Sequence, residues 1–211
     1  MGTESNAAAE RAKAVGDLKR QLIRDAAKAL FARVGIAGAS VREIAKAAGY
    51  TTGAIYTYYP SKEEIYADIL RDSLDVLIAE SRAARAEAPA GERASAALSR
   101  MFRFYVDRPH DFDLSFYLFG GGVRPVGLTH ELNQELNQQL NVLFDELTHA
   151  FVADGVTDTE RAHRAAVGAG AAIFGIVLMS KSGRLTVLGE DQHALMDAQL
   201  DMIKKSVLPP A

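Results

Sequence analysis

Residues 40–70 read SVREIAKAAGYTTGAIYTYYPSKEEIYADIL. Ser40 and Glu43 stand at the S-x-x-E spacing of a capping box, in which each side chain satisfies a backbone N–H at a helix start. Val41, Ile44, Ala45 and Ala48 follow at i, i+3, i+4 and i+7, one apolar face of a short helix. Gly49 stops that helix, because glycine takes the positive φ a helix terminus often needs. A second short helix is expected over about Thr51–Tyr58. Pro60 closes it and pushes Tyr59 out of helical geometry. Ser61 and Glu64 form another capping box, opening a helix through Ile65, Ile69, Leu74 and Leu77 to about Ala86. Two short helices about a tight turn at Gly49 make a helix-turn-helix. The first braces the second, and the second is narrow enough to enter a major groove.

The spacing divides the second helix into two sides. Ile55 and Tyr59 lie four apart and face inward, onto Ile44 and Ala48. The opposite side carries Thr52, Gly53, Tyr56 and Thr57, small or hydroxylated groups that suit close approach to DNA. Threonine methyls can touch thymine methyls, and the helix N-terminus attracts a phosphate. Tyr56, Tyr58 and Lys62 are placed to grip the backbone. Charge agrees: Arg11–Lys62 holds ten Lys/Arg against Asp17, Asp25 and Glu43, a net of +7. The whole chain carries −3, so the remainder carries −10. A basic head on an acidic body implies that only the head meets a polyanion.

Upstream, Leu18, Leu22, Ala26, Leu30 and Val34 fall at helical spacing with Ile23, Ala27 and Phe31 beside them, an amphipathic helix ending at Gly35. Downstream, Glu87–Gly91 with Pro89 reads as a loop. Helices are expected over Glu92–Val106, within Asp111–Phe119, and over Glu131–Ala153, Asp158–Ser182 and Asp191–Ser206. Gly120, Gly121 and Gly122 form a flexible break, followed by Pro125. No long alternation of apolar and polar residues appears, so the expected fold class is all-α: an N-terminal three-helix DNA-binding domain plus a C-terminal helical domain. The expected organisation is a flexible tail over 1–16, the helix-turn-helix domain over 17–64, and a ligand-binding and dimerisation domain over 65–211. With 211 residues, 48% of them apolar, the chain can bury a real core. It has no cysteine, which excludes disulfides and thiolate metal sites. The charged N-terminus is not a secretory signal. The uncharged run Ala165–Ser180 falls short of a membrane span, so the reading is a buried helix in a cytoplasmic protein that does not meet the membrane.

The run from Ser40 to Leu70, with the amphipathic helix before it, resembles the DNA-binding head of the TetR family of regulators. It follows the pattern T/S-x-R-x-I-A-x-x-A-G, then a variable pair, then G-x-hydrophobic-Y-x-Y-aromatic, then S-K-E, over about Leu18–Leu70. The resemblance implies an all-helical homodimer whose subunits each carry a three-helix head and a body that binds a small effector. It places Arg42 at a phosphate-contacting position on the bracing helix. Thr51, Thr52, Gly53 and Ala54 fall at or beside base-facing positions. Tyr56, Thr57 and Tyr58 become contacts at the end of the reading helix, and Lys62 a phosphate-gripping lysine. Thr52 departs from the pattern, standing where a longer Lys or Gln is common. With Gly53 and Ala54 beside it, few groups can read guanine bidentately. Thymine methyl contacts and DNA shape then carry more of the specificity.

The body is less sharply marked. Aromatic residues concentrate in MFRFYVDRPHDFDLSFYLFGGG. Phe102, Tyr105, Phe116, Tyr117 and Phe119, with Phe174, either line an apolar effector pocket or form ordinary core. His110, Asp111 and Asp113 have no second cluster at metal-ligand spacing, so no metal is expected. No cofactor or catalytic motif is present: G-x-S-x-G, H-E-x-x-H, a P-loop and G-x-G-x-x-G are all missing, and GGGVRPVG follows no strand. A non-enzyme is expected. The helices near 158–182 and 191–206 resemble the pair that builds the family's dimer, with small residues Gly168, Ala169, Ala172 and Gly175 at helical spacing. A dimer addresses two half-sites, hence a roughly palindromic double-stranded operator. The common mode of the family is repression relieved by a small-molecule effector.

Overall fold

The computed structural model describes the backbone of residues 2–120 and 128–207, and the side chains of 6, 9–115 and 128–207. Among the described residues ten helices follow one another: α1 (Gly2–Gly38), α2 (Val41–Ala48), α3 (Thr52–Tyr56), α4 (Lys62–Glu87), α5 (Arg93–Asp107), α6 (Pro109–Gly120), α7 (His130–Ala153), α8 (Thr159–Lys181), α9 (Arg184–Leu188) and α10 (Gln192–Val207). No strand occurs among the described residues. The protein is all-α, as the sequence predicts.

The chain forms two compact units. One comprises 1–72 and 113–136; the other comprises 73–112 and 137–211. The boundaries fall inside α4, α6 and α7. In the first unit α1 packs on α2, and α2 on α3. The segment expected as a flexible tail is helical from Gly2. Gly35 breaks α1 where the sequence ends it, at φ 70°, a left-handed value that disfavours any residue with a Cβ.

The buried stripe of α1 is narrower than the apolar one in the sequence. Ile23, Ala27, Leu30 and Phe31 are buried, whereas Leu18, Leu22 and Val34 are 61%, 44% and 44% exposed. The reason is angular. Neighbours at the next position lie about 100° around the helix, and the partners of α1 cover one side only. Phe31 meets the ring of Tyr66 on α4 edge-on at 6.4 Å.

In the second unit α8 packs against α5, α9 and α10. Asp158 caps α8 by accepting from the N–H groups of Glu160 and Arg161 at 3.0 and 3.1 Å. By length and composition α8 is apolar enough to cross a membrane, contrary to the shorter run read from the sequence. Yet Ala162, Ala166, Ala169, Gly170, Ile173, Ile176 and Val177 of this helix are buried within the unit. Glu80 draws in two guanidiniums, those of Arg100 at 2.5 Å and Arg108 at 2.9 Å. The Arg108 hydrogen bond holds its carboxyl below the usual carboxylate range. The short helix α9 was not foreseen: five residues between Gly183 and Gly189 are too few for periodicity to register. Of the glycine break, Gly121, Gly122 and Pro125 lie outside the described residues.

Candidate nucleic-acid interface

The helix-turn-helix is built by its caps. Glu43 N–H donates to Ser40 Oγ at 3.3 Å, and Ser40 N–H returns a bond to Glu43 Oε2 at 3.1 Å. The Ser40 hydroxyl also donates to that carboxylate at 2.7 Å, which lowers the Glu43 pKa. Gly49 takes φ 74°, and the N–H of Tyr50 closes onto Ala45 O at 2.8 Å. Thr51 then caps α3 by accepting from Ala54 N–H at 3.2 Å. Helix α3 ends at Tyr56, two residues earlier than the sequence suggests, and a turn carries the chain through Tyr58.

Apart from Thr52, expected outward but half-buried, the two sides of α3 sort as the spacing predicts. Ile44, Ala45, Ile55 and Tyr59 are buried. Gly53, Tyr56 and Thr57 are exposed, Tyr56 by 54%. Thr52, Ala54 and Tyr58 are half-buried, and Arg42 on α2 is exposed. No Cβ contact would meet a side chain added at Gly53. The Thr57 hydroxyl bonds back to Gly53 O at 3.3 Å, so it faces the same side as Gly53. The result is a short, low ridge of hydroxyl and methyl groups ending in an aromatic ring, which suits insertion between phosphate walls.

Three features of the head escape sequence reading. Tyr59 OH donates to Asp68 Oδ2 at 2.5 Å; burial, followed by that carboxylate, pushes its phenol up. Asp68 also pairs with Arg24 and Arg71, each at 3.2 Å. Arg20 places its guanidinium carbon 5.8 Å from the Tyr58 ring centre and 5.3 Å from that of Tyr59. Finally, Lys62 Nζ, expected to grip a phosphate, donates to the carbonyls of Ile36, Ala37 and Ala39 at 2.8, 3.4 and 2.9 Å. Apart from the Asp68–Arg71 pair, three positions apart on α4, these contacts join residues 9 to 44 positions apart, beyond the reach of local periodicity.

Of the residues considered for an effector pocket, Phe102 and Tyr105 are buried and Phe174 is half-buried. Tyr105, Phe112 and Phe174 pack with ring centres 5.1–5.7 Å apart, and Phe102 stands edge-on to His193 at 5.5 Å. Phe116, Tyr117 and Phe119 sit on α6 in the stretch assigned to the other unit, and their side chains lie outside the described residues. Asp111, one of the weighed metal ligands, is buried and accepts from Ser73 Oγ at 2.8 Å.

Two family models match this chain: that of bacterial regulatory proteins of the tetR family over residues 23–69, and that of the tetracyclin repressor-like C-terminal domain over residues 94–203. The chain belongs to the TetR family. This TetR family member is 41% identical over 64 residues to the transcriptional repressor KstR2 of Rhodococcus jostii, covering 30% of this chain and 31% of that one. It is 32% identical over 111 residues to the transcriptional regulator RutR of Escherichia coli, covering 52% and 50%. The match thus spans a third to a half of these relatives. Among solved structures, the regulatory protein SCO4313 aligns over 90% of this chain and 97% of its own, with TM-score 0.76 at 19% identity. FadR of Bacillus subtilis, crystallised with stearoyl-CoA, aligns over 89% and 98%, with TM-score 0.68 at 21% identity. The likeness to the solved structures is one of fold.

Proposed function

We propose that this TetR family member is a cytoplasmic, homodimeric repressor that leaves a palindromic operator when a small, partly apolar effector binds. The observation that carries the reading is the sorting of α3. Ile55 and Tyr59 are sealed inside, while Gly53, Tyr56 and Thr57 stand in solvent on a head whose net charge is +7 between Arg11 and Lys62. The DNA-binding set is Arg42, Thr51, Thr52, Gly53, Ala54, Tyr56, Thr57 and Tyr58, within a head over residues 17–64. Residues 65–211 serve ligand binding and dimerisation. Phe102, Tyr105 and Phe174, which belong to one compact unit, supply the apolar side of the effector site. Support for an apolar effector comes from FadR, a protein of the same fold that was crystallised with stearoyl-CoA.

An effector releases DNA only to the extent that it binds the non-reading conformation more tightly than the reading one. The test starts with duplex DNA from upstream of this protein's own gene. Tyr56→Ala removes one contact from each half-site and is expected to weaken binding roughly 10- to 100-fold without changing the melting temperature. Unchanged affinity would remove α3 as the reading surface. A thermal-shift screen of acyl compounds, repeated with the duplex present, then tests the effector class.

A further inference from the structure

We propose that the cation meeting a DNA phosphate at the edge of the reading surface is Arg20, and that Lys62 is a positioning residue for the turn between α1 and α2. This rests on the DNA reading above. A lysine ammonium has three protons and no more. Those of Lys62 are directed at three carbonyls, Ile36 O at 2.8 Å, Ala37 O at 3.4 Å and Ala39 O at 2.9 Å. The three carbonyls belong to the segment between Gly35, which breaks α1, and Ser40, which caps α2. Lys62 opens α4, so its side chain ties the first turn of α4 to the strap that sets the bracing helix. Ile36 and Ala39 bury their own side chains on that strap. A phosphate would have to draw the ammonium away from all three acceptors.

Arg20 is built the other way. It is exposed, and its guanidinium lies against Tyr58 and Tyr59, 5.8 and 5.3 Å from the ring centres. A guanidinium carries five N–H donors, so one drawn to the Tyr59 hydroxyl leaves others to meet a phosphate. Arg24, one turn further on, is taken by Asp68 and Asp72 at 3.2 and 2.9 Å. No ion pair of Arg20 occurs among the described residues. Tyr58 follows α3 just beyond exposed Tyr56. Arg20 therefore flanks the reading helix, where backbone phosphates run.

The two roles differ in salt dependence. Each phosphate contact contributes about 0.9 to the slope of log affinity against log salt, and a dimer carries two copies. Binding of the full-length chain to its upstream duplex, and to a random duplex of the same length, is measured by fluorescence anisotropy across a salt series. Arg20→Ala is expected to lower the slope by about 2 on both duplexes. Arg20→Lys keeps the slope and loses affinity, because the charge stays while the planar fork beside the two rings goes. Lys62→Met weakens binding with the slope unchanged, and speeds exchange of the Ala39 amide, which donates to Ile36 O at 3.3 Å. An Arg20→Ala slope equal to wild type, or a Lys62→Met slope lowered by about 2, overturns the assignment. If Lys62→Met does not fold, the two Arg20 variants decide on the same criteria. A wild-type chain with no salt-dependent binding to either duplex would sink the DNA reading itself, and this assignment with it.

Discussion

Tyr59 shows how much one side chain settles in the head. Its ring is 3% exposed, and its hydroxyl reaches Asp68, which also holds Arg24 and Arg71. A hydrogen bond to a charged acceptor in a buried place contributes about 1.5–3 kcal/mol. Tyr59→Phe is therefore expected to lower unfolding stability by about that amount in urea, with the outward face of α3 intact. Because the phenol pKa is raised in the folded state, the neutral form is the one that folding favours. The contribution is fully present below the ordinary tyrosine value near pH 10 and is lost as pH rises above it. The Phe variant should lack that part of the alkaline fall in stability; an identical alkaline profile would separate Tyr59 from the titration. The inward role of Tyr59 is legible from its spacing to Ile55. Its partner is not, because Pro60 and Ser61 turn the chain before Asp68 returns to face it.

At the scale of elements, α8 carries two kinds of glycine. Gly170 is buried, and a Cβ there would lie 2.7 Å from the Cε1 and Cζ atoms of Phe144 on α7. Gly168 is exposed, with nothing within 4 Å of a Cβ. Gly170→Ala forces the Phe144 ring to move and should cost about 1–3 kcal/mol. Gly168→Ala meets nothing within its own subunit and should add about 0.5–1 kcal/mol to the stability of α8 in the unassociated chain, as alanine does in an open helix interior. Thermal melts of the two variants check the contrast, and equal effects would contradict the packing described. Both glycines look alike in the sequence, where only smallness and helical spacing can be read. The same limit explains α1, whose apolar stripe is wider than the face its partners cover.

For the whole molecule, the decisive quantity is assembly. On α8, Val167, Gly168, Ala171, Gly175 and Leu178 are exposed; on α10, Ala194, Ala198 and Met202 are exposed as well. Small and apolar groups left in solvent on two adjacent helices are the surface proposed for the dimer. Ala171→Arg places a charge in the middle of it. Light scattering after size exclusion is expected to show a monomer, and affinity for the upstream duplex is expected to fall at least 100-fold, since one half-site is lost. A variant that stays dimeric would move the interface elsewhere on the chain.

Most helix positions, the caps of the head and most of the inward and outward sides of α3 were legible in the amino-acid order, because each depends on residues within about two turns of one another. The capping box at Ser40, the Ser61 hydroxyl that accepts from Glu64 N–H, the stop at Gly49 and the inward pair Ile55 and Tyr59 are of this kind. What required the folded chain was every pairing across elements. Lys62 against the carbonyls beyond Gly35, Arg20 on Tyr58, Tyr59 on Asp68 and Gly170 under Phe144 join segments that local spacing cannot relate. A charged or aromatic side chain has several chemically acceptable partners, and three-dimensional packing selects among them. The short helix-turn-helix is thus written into local physics, and the duties of the cations around it are assigned only by tertiary contact.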